Sequence, residues 1–307
     1  MEQWPVLQRF WSRALNPAFA LAAGDQVERW HEEVKELHSL GIAMEAALQF
    51  LYFERPAAER FRQWLLDNKK DCDAEETTDA AILSQDDLAF WDVNGYVVLK
   101  NVVPQQQCAD ARAATWEFLR ATPDDPHSWY QTHDARRGLM LQFFDHPALH
   151  RNRQSARVRN AYRQLYGSSA IHKTIDKVSF NPPEQAGHPF VGSALHWDAS
   201  LVMPVSFRLQ GLLYLTDCGA DEGAFHCVPG FHRQIEDWLR SLPPKADPRA
   251  LAPQLLRAVP IPAKAGDFVI WHQALPHCAT PNRGKHPRMV QYLTYLPDAD
   301  EERKEWK

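Results

Sequence analysis

The sequence predicts a strand-rich domain of the double-sheet jelly-roll or barrel class, with helical additions, preceded by an α-helical segment. Three observations predict it. From Ile171 onward, short β-branched and aromatic runs alternate with Gly- and Pro-containing turns, and few helical stretches intervene. Before Lys70, aromatic and aliphatic residues recur at helical spacing. Between the two, Asp71 to Asp79 is acidic and poor in apolar residues, which reads as a linker. Residues 1–80 are therefore expected to form a helical extension with its linker, and residues 81–307 a mostly β domain.

Each element has its local reason. Val27, Trp30, Val34 and Leu37 form an apolar stripe, with Asp25 and Glu28 placed as a capping box. Gly41 stops that helix, and Met44 to Phe53 resumes an amphipathic pattern. Pro56 sits where a first-turn proline is favoured, ahead of Phe61, Trp64 and Leu65. These helices are expected to pack on the main domain or on a second subunit, which allows a homodimer. They should bury Trp30, Phe53 and Trp64 and contribute no metal ligand. Ser84 and Asp87 cap a short helix ending at Asn94-Gly95, and Tyr96 to Val103 reads as a strand. Pro104 opens a helix through Trp116 and Leu119.

The stretch from Thr122 to His146, rich in Pro, Asp, His and Gly, reads as a long loop with exposed Trp129 and Tyr130. Arg151, Arg153, Arg157, Arg159 and Arg163 fall in a helix, as a solvated face or as an anion-binding patch. Thr174 to Phe180, Ala194 to Asp198, Arg208 to Thr216, Ala224 to Val228, Phe268 to Trp271 and Arg288 to Leu296 read as strands. Ser241 to Pro262 holds six prolines and reads as an irregular excursion with a helical turn near Leu255.

Composition narrows the function. With 45% hydrophobic and 24% charged residues, the 307-residue chain has the make-up of an ordinary globular protein. A formal net charge of −5 argues against nucleic acid or an anionic membrane as the main partner. No apolar run approaches the roughly 20 residues that cross a bilayer, and Met1 to Pro5 does not begin a secretory signal. Five dispersed cysteines without a Cys-x-x-Cys pair read as reduced thiols in a cytoplasm. Neither Gly-x-Ser-x-Gly, Gly-x-x-x-x-Gly-Lys nor Gly-x-Gly-x-x-Gly occurs.

The chemistry-bearing motif is Leu195-His196-Trp197-Asp198. In an extended strand His196 and Asp198 project to one side and Trp197 to the other. Such a pair supplies two ligands of a two-His, one-carboxylate iron site, which leaves positions open for oxygen and a cosubstrate. The candidate third ligand is His277, with His272 its competitor. Arg288 opens a strand on which Val290 and Tyr292 share its face, whereas Arg283 lies in the turn Pro281-Asn282-Arg283-Gly284. Among the remaining histidines, His188, His226 and His232 sit in or beside turns. Trp129, Tyr130, His133, Arg137, Phe225 and His226 could build a substrate pocket.

Gly95-Tyr96-Val97-Val98-Leu99, His196-Trp197-Asp198, Gly223-Ala224, Val228-Pro229-Gly230-Phe231-His232, Gly266-Asp267 and His277 through Pro281-Asn282 to Arg288 form an ordered set. Over about Ser84 to Pro297 it resembles the phytanoyl-CoA dioxygenase family of Fe(II)/2-oxoglutarate-dependent oxygenases. The resemblance implies a double-stranded β-helix core and a non-haem dioxygenase that uses Fe(II), 2-oxoglutarate and O2. It would oxidise, most simply hydroxylate, a small-molecule metabolite, with decarboxylation of 2-oxoglutarate to succinate and CO2. It implies iron ligands at His196, Asp198 and His277, and Arg288 pairing the far carboxylate of 2-oxoglutarate. Lys177 matches a strand position facing the active-site mouth, and Trp197 is carried with it as cofactor-binding. Related halogenases have Gly or Ala where Asp198 stands, so chlorination is not expected. Alternatives are desaturation or cyclisation, or a jelly-roll binding or sensing module without catalysis. The sequence departs from the family's pattern at Ala279, where a small hydroxyl residue is common, and at Phe225-His226, which replaces an aliphatic pair. The helices before Lys70 have no counterpart in the family's core.

Overall fold

The computed structural model describes residues 4–16, 26–70 and 80–298. The capping box read at Asp25 and Glu28 and the linker at 71–79 lie outside what it describes. Four helices come first: α1 (Trp4–Leu15), α2 (Gln26–Ser39), α3 (Met44–Glu54) and α4 (Ala58–Asn68). Their stripes close on one core, in which Leu7, Phe10, Leu37, Leu51, Phe61 and Leu65 are fully enclosed. Trp30 and Trp64 sit half-buried at its edge. Phe53 corrects the expectation, since it is 85% exposed. The inner face of α3 is set by Ala47 and Leu51, and a residue two beyond Leu51 lies about 200° around the helix. Ion pairs that tie this bundle to the rest include Lys35–Asp298 at 2.8 Å, Lys70–Asp145 at 3.1 Å and Lys177–Glu45 at 2.6 Å. The stripes are covered within the chain, which removes the reason for expecting a homodimer through them.

Helix α5 (Gln85–Asn94) starts at a complete Ser84–Asp87 capping box and ends at Gly95, whose left-handed φ of 73° suits a residue without Cβ. Strand β1 (Tyr96–Leu99) is shorter than its β-branched run. Asn101 turns into the left-handed region at φ 50° and donates its N–H to Asp267 Oδ1. After α6 (Gln105–Leu119), the loop expected at 122–146 carries a 3-10 turn and the short β2 (Arg136–Arg137) and β3 (Met140–Leu141). Trp129, read as exposed, is buried instead, its Nε1 donating to Thr122 O at 2.7 Å.

The arginine row falls on α7 (Pro147–Arg153) and α8 (Ala156–Tyr166) and is not one solvated face. Arg153 is enclosed and donates to Asp176 O, Arg151 pairs with Asp110, and Arg157 donates to two backbone carbonyls.

Strands β5 (Val178–Asn181), β6 (Leu209–Tyr214), β9 (Phe268–His272) and β11 (Arg288–Tyr292) complete an antiparallel sheet in the order β1-β9-β6-β11-β5-β3-β2. A second sheet of β7 (Phe225–Cys227), β8 (Val259–Ile261) and β10 (His277–Cys278) has the order β10-β7-β8. Strands β4 (Ile171–Lys173) and β12 (Tyr295–Pro297) form a separate pair, so the single strand expected to Leu296 is two. Helices α9 (Ile235–Ser241) and α10 (Pro248–Leu255) fill the proline-rich excursion.

The large sheet is a middle layer. From β9, Phe268 and Ile270 face the core shared with α6 and α8. Val269 and Trp271 face the small sheet. The period of two puts Gln210, Leu212 and Tyr214 of β6, and Arg288, Val290 and Tyr292 of β11, on that second side. Among the described residues about 41% are helical and 18% strand. The expectation of a mostly β protein is corrected here, because the strands run only two to six residues whereas the helices run to fifteen.

Candidate metal centre

His196 and Asp198 do not lie on a strand, contrary to the sequence reading. His196 makes an isolated antiparallel bridge to His277, with His196 N–H to His277 O at 3.0 Å and the return bond at 2.9 Å. That bridge does what the expected strand would have done and also brings in the distant third residue. His277 starts β10, held against β7 by the Cys227 register. Asp198 then lies 3.5 Å from His196 Nε2 and 3.3 Å from His277 Nε2. Candidate ligand atoms of His196, Asp198 and His277 all fall within 4.8 Å of one another. His272 is elsewhere: its Nδ1 accepts from Ala274 N–H, and its ring packs on Phe207 and His232.

The surroundings prepare the two imidazoles. His196 Nδ1 meets Ala194 O at 2.7 Å and His277 Nδ1 meets Leu275 O at 3.2 Å. A carbonyl beside Nδ1 keeps a proton on that nitrogen, so Nε2, which here donates to Asp198, is the nitrogen that would give up its proton and present a lone pair to a metal. The hydrogen bond to Asp198 raises the pKa of His196 against its desolvation. Burial works against the Asp198 carboxylate, but hydrogen bonds from His196, His277 and Gln210 hold its carboxyl well below the usual range. Two nitrogen donors and one ionised oxygen donor on one side of a cavity fit a non-haem iron with open positions.

Behind them stands a support that the sequence reading missed. Gln210 on β6 donates to Asp198 Oδ2 at 3.0 Å and accepts from Trp271 Nε1 at 3.0 Å. The available signal was a lone amide in an otherwise apolar strand, on the face with Leu212 and Tyr214. Phe225 stacks on the His277 ring at 5.8 Å.

These groups open into a cavity of about 410 Å³ whose walls include Lys177, Phe225, Ala279, Arg288 and Tyr292. Arg288 is 2% exposed, and its Nε and Nη1 have no hydrogen-bond partner. Its guanidinium lies 5.5 Å from the Tyr214 ring centre, and among the described residues no carboxylate pairs with it. A buried guanidinium left this way costs several kcal/mol unless an anion is supplied. A ligand carboxylate entering the cavity fits that need. Arg283 is exposed in its turn. Lys177 reaches the cavity but is engaged by Glu45 of α3. Trp197 is corrected: it points away from the cavity, donates Nε1 to Ala274 O at 2.9 Å and packs against Phe231 and Trp238.

The Phytanoyl-CoA dioxygenase (PhyH) family model matches residues 91–290. The chain belongs to the phytanoyl-CoA dioxygenase family. It is thereby classed with the non-haem Fe(II)/2-oxoglutarate-dependent oxygenases, and the matched segment contains all three candidate ligands and Arg288. A Dictyostelium discoideum protein named as a phytanoyl-CoA dioxygenase is 27% identical over 97 residues. That match covers 29% of this chain, which spans about a quarter (27%) of the relative's length.

Solved structures with the same fold include SnoN, a non-haem α-ketoglutarate-dependent epimerase of nogalamycin biosynthesis. It shows a TM-score of 0.52 and 21% identity, covering 69% of this family member and 82% of SnoN. The carbocyclase SnoK of the same biosynthesis gives 0.51 and 21%, covering 70% and 84%. HygX of Streptomyces hygroscopicus, solved with nickel and 2-oxoglutarate, gives 0.51 and 14%, covering 72% and 89%. Among the described residues no helix is long and apolar enough to cross a membrane.

Proposed function

We propose that this protein is an Fe(II)- and 2-oxoglutarate-dependent dioxygenase that hydroxylates a small-molecule metabolite in the cytoplasm. The observation that carries the reading is that Arg288, buried without an anion, shares one cavity with the converging His196, Asp198 and His277. In this reading the two facing sheets are the layers of a jelly roll, residues 81–307 are the catalytic domain, and residues up to 80 are an added helical unit.

His196 Nε2, His277 Nε2 and one Asp198 oxygen would hold the iron, and Gln210 would fix the carboxylate's orientation. Iron with 2-oxoglutarate and oxygen supplies the oxidising chemistry, with release of succinate and carbon dioxide. Arg288 would receive the far carboxylate of 2-oxoglutarate, in the two-pronged geometry a guanidinium offers. Phe225 and Trp271 pack against the His277 ring and shield it from bulk water. Asp198 occupies the position that would have to be empty for a halide, so the product should carry oxygen and no chlorine.

A succinate-release screen across small-molecule classes, followed by mass spectrometry, tests the reaction. A product heavier by one oxygen, unchanged by excess chloride, is expected. Substrate-dependent succinate with a product of unchanged or lower mass would assign epimerisation, cyclisation or desaturation instead.

A further inference from the structure

A second cavity of about 510 Å³ adjoins the metal cavity, and Gly138, Leu139 and Val191 belong to the walls of both. The threshold between them is narrow. At Gly138, with φ 58°, a Cβ would stand 3.0 Å from Val191 O. The inner chamber must also hold the metal and the cosubstrate, so a substrate larger than a short acid has to extend beyond it. The outer chamber lies across that shared wall.

Its walls are flat and largely uncharged. Tyr130 and His188 stack with ring centres 4.4 Å apart, and the Tyr130 hydroxyl donates to Pro183 O at 2.7 Å. Phe190, Pro182, Pro183 and Pro189 add further apolar faces. The cation in the wall, Arg136, is engaged: it donates to Trp129 O and Gly138 O and lies over the Phe180 ring. The arginines of α7 and α8 that an anionic handle would need are also engaged, as described above.

We infer that the outer chamber is a substrate subsite for a planar ring, so that the substrate is a ring-bearing molecule whose reacting end passes Gly138 toward His196, Asp198 and His277. This deepens, and rests on, the oxygenase reading. A phosphate-rich carrier such as a coenzyme A thioester finds no free cation in these walls, whereas a flat ring meets the Tyr130–His188 pair.

Equilibrium dialysis of the Fe(II)- and 2-oxoglutarate-loaded protein under anaerobic conditions tests this with three probes: 2-naphthol, its fully saturated decahydro counterpart, and coenzyme A. 2-Naphthol should bind roughly tenfold more tightly than either other probe, the size of one aromatic stacking contact. Tyr130→Ala should weaken it by a similar factor, and Tyr130→Phe should leave it unchanged. Val191→Trp, at a site 53% exposed, should narrow the threshold while sparing the fold. It should weaken 2-naphthol binding without shifting the thermal unfolding midpoint. Equal binding of the flat and saturated probes, tighter coenzyme A binding, or indifference to Tyr130→Ala would overturn the subsite. Loss of the visible iron–2-oxoglutarate band in the unaltered protein would instead count against the oxygenase reading, and the dialysis result would still decide the ring slot.

Discussion

Two buried charges, one in the helical bundle and one in the cavity, are handled in opposite ways. Glu33 of α2 is fully enclosed, and Arg13 meets it at 3.1 Å and Arg9 at 3.7 Å. Burial raises its carboxyl and the two arginines oppose that shift. Arg288 is as deeply placed, yet it has aromatic neighbours and, among the described residues, no carboxylate partner. The bundle answers its charge from within the chain, whereas the cavity leaves its charge to be answered by something that enters. That difference separates burial for folding from burial for binding, and neither depth alone nor residue type shows it.

The largest effect expected from this contrast is on cosubstrate binding. Arg288→Met should raise the 2-oxoglutarate requirement by roughly 30-fold or more, the scale of losing one partner of a buried charge pair. Arg288→Lys should fall between it and the unaltered protein, and Arg283→Lys should change nothing. Thermal unfolding without 2-oxoglutarate should show Arg288→Met no less stable than the parent, because an unmatched charge has been removed. A clear loss of stability would mean that Arg288 has a partner inside the fold and the contrast fails.

Next in size is the reverse experiment in the bundle. Arg13→Met leaves Glu33, among the described residues, with its longer Arg9 contact alone and should cost about 3 kcal/mol of stability. Iron and 2-oxoglutarate binding by the folded fraction should be unaltered. An unchanged unfolding midpoint would show that the Glu33 charge is not matched in the way its contacts suggest.

The effect spread most thinly, one pH unit at a time, concerns buried histidines in the two regions. Burial lowers His38 of α2 to about 3 and His272 of β9 to about 4. The unfolded chain protonates both near pH 6.5. Below that value the unfolded state binds more protons, so stability is full above about pH 6.5 and is lost as pH falls toward the folded values. Each histidine should contribute up to about 1.4 kcal/mol per pH unit within its window. Denaturation midpoints between pH 7 and 4 should therefore flatten in His38→Leu and in His272→Leu separately. Parallel curves for parent and variants would show that neither histidine stays neutral in the folded state.

The sequence made the site more legible than its surroundings. His196, Asp198 and His277 were readable because a two-residue spacing and a distant turn-flanked histidine belong to one ordered pattern. The reason offered for their common side was incomplete, since a bridge to His277 and not a strand aligns them. Arg288 was placed by strand period, and β11 puts it on the face with Val290 and Tyr292. Gln210 escaped because its partner Trp271 lies 61 positions away and no local pattern links them. Trp197 stands beside both ligands in the sequence, yet its side chain turns away to Ala274 O, Phe231 and Trp238. Phe53 and Trp129 show a further limit. Hydrophobicity states a preference for burial, but the inner face of a short helix or the packing of a loop decides whether it is met.

The central claim is that His196, Asp198 and His277 form one iron site and that Arg288 completes it for 2-oxoglutarate. Anaerobic titration of the metal-free protein with Fe(II) and 2-oxoglutarate, followed by the visible charge-transfer band of the chelate, tests it most directly. The account predicts a band that saturates at one Fe(II) per chain and disappears in His196→Ala and Asp198→Ala, with metal affinity reduced by more than about 100-fold. No band in the unaltered protein, or an undiminished band in both variants, would contradict it.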